Sequence, residues 1–191
     1  DAASSMRAVQ KKTTKIYVTH DLTEAMSMAH RIAIMNQGVL QQVDAPLTIY
    51  DRPATLFVAG FIGSPPMNFV ACRLQNGRLT NADGTITLSE EQVPHLQARA
   101  GQATAAELML GIRAENVKIT TAVSAGDVRG EVILREPMGD EIIYTIQAGE
   151  NQIRATTEPT FQLAVGETVG LNFEPERIHL FDTSTEKALV I

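Results

Sequence analysis

Tryptophan is absent from this 191-residue chain, cysteine occurs once, and aromatic residues make up only 5%. With Cys72 as the single thiol, no intrachain disulfide can form. That excludes a disulfide-stapled scaffold, suits a reducing cytoplasm, and leaves Cys72 as a small buried hydrophobe. Sparse aromatics leave few platforms on which nucleic-acid bases could stack. No apolar run approaches the ~20 residues of a membrane span. The opening Asp1-Ala2-Ala3-Ser4-Ser5 lacks the apolar stretch of a signal peptide. Excess positive charge is also missing: 16 Lys and Arg face 22 Asp and Glu, a net charge of −6. Residues 1–62 carry +1 and residues 63–191 carry −7. Such an acidic C-terminal part is a poor partner for a phosphate backbone, so no nucleic-acid partner is expected.

What is present begins at Lys15-Ile16-Tyr17-Val18-Thr19-His20-Asp21-Leu22-Thr23-Glu24-Ala25-Met26. The apolar and β-branched residues predict a strand over 15–19. Asp21 with Glu24 three residues later reads as a capping box in which Asp replaces Ser or Thr. Leu22, Ala25, Met26 and Ala29 then share one helical face, which predicts a helix over 21–30. His20 would sit at the C-terminal end of the strand, where open α/β sheets gather ligands. An imidazole there can donate to a phosphate oxygen or accept from an attacking water. The plainer reading is a polar residue in a strand-to-helix turn.

The segment Val18-Thr19-His20-Asp21-Leu22-Thr23-Glu24-Ala25-Met26 resembles the switch-histidine region of ABC-transporter ATPases. The resemblance continues through Arg31-Ile32-Ala33-Ile34-Met35-Asn36-Gln37-Gly38, Asp44-Ala45-Pro46, Ile49-Tyr50-Asp51-Arg52-Pro53, Phe57-Val58-Ala59-Gly60-Phe61-Ile62-Gly63-Ser64-Pro65 and Met67-Asn68-Phe69. These stretches are similar to the ATPase subunit of carbohydrate and glycerol-3-phosphate importers. The resemblance implies that His20, in an intact parent using ATP and Mg²⁺, contacts the γ-phosphate at a dimer interface. No G-x-x-x-x-G-K-[ST] occurs in the sequence, so no backbone nest is available to cradle phosphates. The family's Leu-Ser-Gly-Gly-Gln signature and its apolar run ending in Asp-Glu are also missing. This chain alone is therefore not expected to hydrolyse ATP. The expected organisation is a remnant of an α/β ATPase domain over residues 1–62 and a complete accessory domain over 63–191. Strand 15–19, cut off from its sheet neighbours, is expected to be rearranged, disordered or paired with a second copy.

Further along, strands are expected over 32–36 and 39–43, joined by the turn Asn36-Gln37-Gly38. A helix should follow with Asp44 as N-cap and Pro46 in its first turn. A second helix from Ala54 would place Leu56, Phe57, Gly60 and Phe61 on one side. Gly63-Ser64-Pro65-Pro66 breaks any helix. Beyond it the pattern switches to short strands, over 70–74, 78–80, 85–88, 107–112, 117–121, 130–136, 141–147, 152–156, 168–173 and 178–181. Asn76-Gly77 and Asp83-Gly84 mark turns, and Ser89 with Gln92 marks a short helix limited by Pro94. This pattern predicts a mainly β fold closing into a small barrel.

Gly111-Ile112-Arg113 with Glu115, Glu136-Pro137-Met138-Gly139 with Glu141, and Phe173-Glu174-Pro175-Glu176-Arg177-Ile178-His179-Leu180-Phe181-Asp182 resemble the transport-associated OB-fold (TOBE) region of these importer ATPases. The family usually has proline at Ala114 and histidine at Asn116; the latter change removes a titrating ring. Arg113 with Glu115, and Glu176 with Arg177, read as structural ion pairs. His30, His95 and His179 lack zinc-ligand spacing, so no metal site is expected. The resemblance implies a homodimer, contact with transmembrane permease subunits, a possible cytoplasmic regulator, and a place on the cytoplasmic face of the inner membrane. A competing reading is a free-standing OB-like module that binds a small anion or sugar. The first 62 residues discriminate, because a free sensor has no need of His20 and its helix.

Overall fold

A computed structural model describes residues 14–124 and 128–190. Residues 14–19 belong to no helix or strand and pair with no other strand among the described residues. The strand expected over 15–19 is therefore not formed. Ile16 and Val18 are 90% and 91% exposed. A strand is defined by what it pairs with, and β-branched side chains alone do not supply a neighbour.

Helix α1 (Leu22–Met28) starts as expected: the Asp21 carboxylate accepts the Glu24 N–H at 3.0 Å. It stops short of residue 30, with Ala29 extended. Strands β1 (Ile32–Asn36) and β2 (Val39–Asp44) form an antiparallel hairpin. Gln37 and Gly38 both take positive φ, 47° and 80°, the geometry a two-residue hairpin turn requires. Helix α2 (Pro46–Asp51) carries Pro46 at its start, but its N-cap is Ala45, not Asp44. The Asp44 carboxylate instead accepts the neighbouring Ala45 N–H at 2.8 Å. Helix α3 (Leu56–Phe61) is capped by Thr55 and buries Val58 and Ala59 rather than the expected face. Phe57, which packs against the small core, stacks on the exposed Phe61 at 5.4 Å. Ile32, Ile34, Ile49, Val58 and Ile62 form a small core, against which Leu22, Ala25, Met26 and Ala29 of α1 pack.

The remainder is two antiparallel five-stranded sheets. One contains β3 (Asn68–Gln75), β4 (Arg78–Asn81), β5 (Thr87–Leu88), β6 (Glu107–Ile112) and β12 (His179–Asp182), ordered β12-β6-β3-β4-β5. The other contains β7 (Val117–Thr120), β8 (Val128–Pro137), β9 (Ile142–Ala148), β10 (Asn151–Thr157) and β11 (Thr168–Phe173), ordered β10-β9-β8-β11-β7. The mainly β expectation holds, with the strands in two sheets around one shared core. That core draws Val70, Leu110 and Ile112 from the first sheet and Val132, Tyr144, Ile146 and Leu171 from the second. Cys72 lies within it, and burial together with Glu107 pushes its thiol up to about 12. The helix expected to start at Ser89 begins only at Leu96, as α4 (Leu96–Ala100). The Ser89 N–H does reach the Gln92 side chain at 3.0 Å, but Pro94 cannot donate and His95 turns left-handed. Among the described residues, no helix is long and apolar enough to cross a membrane.

Two polar staples join the sheets. The buried Asn68 amide donates to the Arg154 carbonyl and accepts the Arg154 N–H, both at 2.8 Å. It thus acts as one extra rung between β3 and β10. Asp83, in the turn after β4, accepts the Glu150 N–H of the β9–β10 turn at 2.6 Å and the Thr85 N–H at 2.9 Å. Those donors lower its carboxyl to about 2. Asn68→Ala would strand both Arg154 backbone groups. It should cost about 1–3 kcal/mol, read as a lower urea midpoint with an unchanged slope.

Candidate functional site

His20 stands exposed at the turn into α1. Local bonds shape that turn. The Thr19 hydroxyl accepts the Asp21 N–H at 2.9 Å and donates to Glu24 at 3.2 Å. The Tyr17 hydroxyl donates to the same carboxylate at 3.3 Å. Asp21 and Glu24 both follow the imidazole in sequence, and this acidic setting does not by itself suit a polyphosphate. Among the described residues, no three His, Cys, Asp or Glu side chains cluster as a cation would need.

A second constellation lies where the helical part meets the sheets. A cleft of about 200 Å³ is lined by Tyr50, Asp51, Arg113, Glu115, Arg177 and His179, among others. Arg113 leaves β6 on extended backbone just before a 3₁₀ turn (Ala114–Asn116). Its side chain is 3% exposed. Its guanidinium donates to the Ile62 carbonyl at 2.7 Å and to the Tyr50 carbonyl at 2.7 and 3.3 Å. Its carbon lies 3.6 Å from the centroid of the Tyr50 ring, a cation–π contact. Tyr50 is residue five of α2, and Ile62 is the C-cap of α3. One cation therefore answers the unpaired carbonyls and negative dipole ends of two helices. Gly63, at φ 123°, makes room for it: a Cβ there would sit 2.7 Å from a guanidinium nitrogen.

The rest of the joint is polar. The Tyr50 hydroxyl donates to Glu115 at 2.5 Å, and burial followed by that bond pushes the phenol up to about 12. Arg177 pairs with Asp51 at 3.4 Å across the cleft, in place of the expected partner Glu176. Glu115 makes no direct ion pair with Arg113; it bonds the Tyr50 hydroxyl, whose ring lies against the guanidinium. Burial draws the Arg113 pKa down. Burial, with Arg113 adding, lowers His179 to about 4. The backbone also ties the two parts: the Leu56 N–H donates to Glu186, and the Ala188 N–H donates to Ala54. Ala59, Met67 and Phe181 share a further apolar cluster there. The sequence reading missed Tyr50 as a partner; 63 positions separate it from Arg113, and no local pattern signals the contact.

Residues 63–117 match the family of the MalK OB fold domain, and residues 110–181 match the TOBE domain. Between them the two matches span residues 63–181. It is 48% identical over 172 residues to a protein of Brucella abortus named as ATP-binding, covering 90% of this chain and 46% of that one. It is 34% identical over 177 residues to the ABC transporter ATP-binding protein YcjV of Escherichia coli K12, covering 93% of this chain and 48% of YcjV. The chain thus spans about half the length of the curated relatives it matches. Among solved structures, the cytoplasmic molybdate-binding protein ModG is similar at a TM-score of 0.45 and 14% identity, over 59% of this chain and 94% of that one.

His179 has a testable consequence. Its folded pKa of about 4 lies below the ordinary 6.5, so the unfolded chain binds the extra proton between those values. Its contribution to stability is therefore present above pH 6.5 and lost as pH falls toward 4. The free energy of unfolding from denaturant titrations should decline across that window by up to ~3 kcal/mol. His179→Gln should flatten this part of the pH profile.

Proposed function

We propose that this chain is the C-terminal regulatory and dimerisation portion of an ABC importer ATPase. The parent uses ATP and Mg²⁺ to drive uptake of a sugar, polyol or glycerol phosphate through transmembrane permease subunits. It acts at the cytoplasmic face of the inner membrane, where a cytoplasmic regulator has access to it. The observation that carries this reading is the joint itself: an OB and TOBE module is bonded through Arg113 to the helices that follow His20. A module working as a free anion or sugar sensor would have no need of that attachment.

In this reading residues 15–29 are the exit from the ATPase sheet, and His20 is the residue aimed at the terminal phosphate. An imidazole in that position can hold a proton against a phosphate oxygen or orient a water. The exposed Ile16, Tyr17 and Val18 are then the face that the remainder of the sheet covers. The sequence carries no phosphate-loop motif and the described residues hold no cation-binding cluster, so in this reading the chain is expected not to turn over ATP alone.

Titrating the chain with Mg-ATP in a calorimeter should give no binding heat, and tight binding would overturn the proposal. In a longer protein carrying the phosphate loop and signature, His20→Ala should lower ATP turnover at least ~100-fold, the scale of a lost proton-transfer group. Full activity in that variant would remove His20 from the mechanism. Sedimentation of the chain should show a concentration-dependent dimer.

A further inference from the structure

We infer that Arg113 is a positioning residue through which the OB and TOBE module sets the place of the helix that follows His20. The chain of contacts is short. Arg113 is fixed in the β module, at the end of β6. Its guanidinium holds the Tyr50 carbonyl at the end of α2 and the Ile62 carbonyl at the end of α3. Ile62 is 1% exposed and belongs to the small core, against which Tyr50 also packs. Leu22, Ala25, Met26 and Ala29 seat α1 on that same core. Asp21, the cap of α1, is the residue after His20.

The core is too small to hold this geometry without help. It has five buried aliphatic side chains, and its helices are six or seven residues long. Such helices depend on outside packing rather than on their own propensity. The large β core provides that support, and the buried guanidinium is one polar connection to it. Gly63 and the stacked Tyr50 ring leave room for a planar side chain and little else. Lysine could keep the charge, but one ammonium cannot fork between two carbonyls while lying flat on a ring.

The inference rests on the proposed role of His20 only for its consequence, not for its test. Hydrogen–deuterium exchange of the chain as it stands should separate the two. In Arg113→Met, amides of residues 22–29 and 46–62 should exchange at least ~10-fold faster, while β8 and β9 keep their protection. The ring resonances of His20 should shift in the same variant. Arg113→Lys should recover part of the protection, since charge at the helix ends remains. Unchanged exchange at residues 22–29 would overturn the inference. So would a uniform rise across β8 and β9, because it would mark a general loss of stability. Should Arg113→Met fail to fold, Arg113→Lys answers the same question: a local rise confined to 22–29 and 46–62 supports positioning, and none refutes it. No nucleotide enters either readout, so failure of the ATPase reading would leave this result standing.

Discussion

A guanidinium buried between two helix ends is the constraint on which the joint depends. Removing Arg113 from water is costly, and burial accordingly draws its pKa down. The compensation is unusual in that no carboxylate touches it directly among the described residues. Two carbonyls at the ends of α2 and α3 accept its protons, and the Tyr50 face lies beneath it. Helix termini carry partial negative charge, so a cation there is stabilised without a formal ion pair. Glu115 acts one step removed, by holding the Tyr50 hydroxyl and so the ring. A single side chain thereby ends two helices, aligns them with each other, and fastens both to a sheet.

The sheets can serve as an anchor because they are themselves over-determined. Every strand pair is antiparallel, and in the two sheets half of the pairs join strands adjacent in sequence while half join distant ones. Asn68 replaces a missing strand rung with a side-chain amide, joining two sheets whose backbones do not otherwise pair at that point. Asp83 does the same between two turns. Both staples connect segments more than 60 positions apart, which resists sliding of one sheet over the other. A module built in this way moves as a unit, and whatever is fixed to its rim moves with it.

Local chemistry was legible in the sequence, and long-range partnership was not. Asn76-Gly77 and Gln37-Gly38 each specify a conformation through residues close to one another and form as read, whereas the Asp21–Glu24 box forms only in half: Asp21 caps the helix, but its own N–H goes to Thr19 instead of Glu24. Strand 168–173 was readable from its composition for the same reason. The segment 15–19 misled because β-branched residues report only suitability for a strand, while the neighbour comes from elsewhere. Asp44 misled because a carboxylate next to a helix start can bond the adjacent N–H instead of capping. At the joint, proximity in sequence suggested Arg113 with Glu115 and Glu176 with Arg177. The structure instead inserts Tyr50 into the first pair and Asp51 into the second. Both come from α2, which no spacing rule brings to that place.

The turn at His20 divides in the same way. Its shape is local, made by Thr19, Asp21 and Glu24 and by the first turn of α1. That shape survives without a sheet beside it, as the unpaired backbone over 14–19 demonstrates. The orientation of the turn relative to the rest of the protein is not local, because it passes through the small core and Arg113 to the β module. What the imidazole can do is then set by two separate inputs. One is the nearest six residues, which fix its presentation. The other is a sheet nearly a hundred positions away in sequence, which fixes its direction. A change in the second input can redirect the histidine without disturbing a single contact in the first.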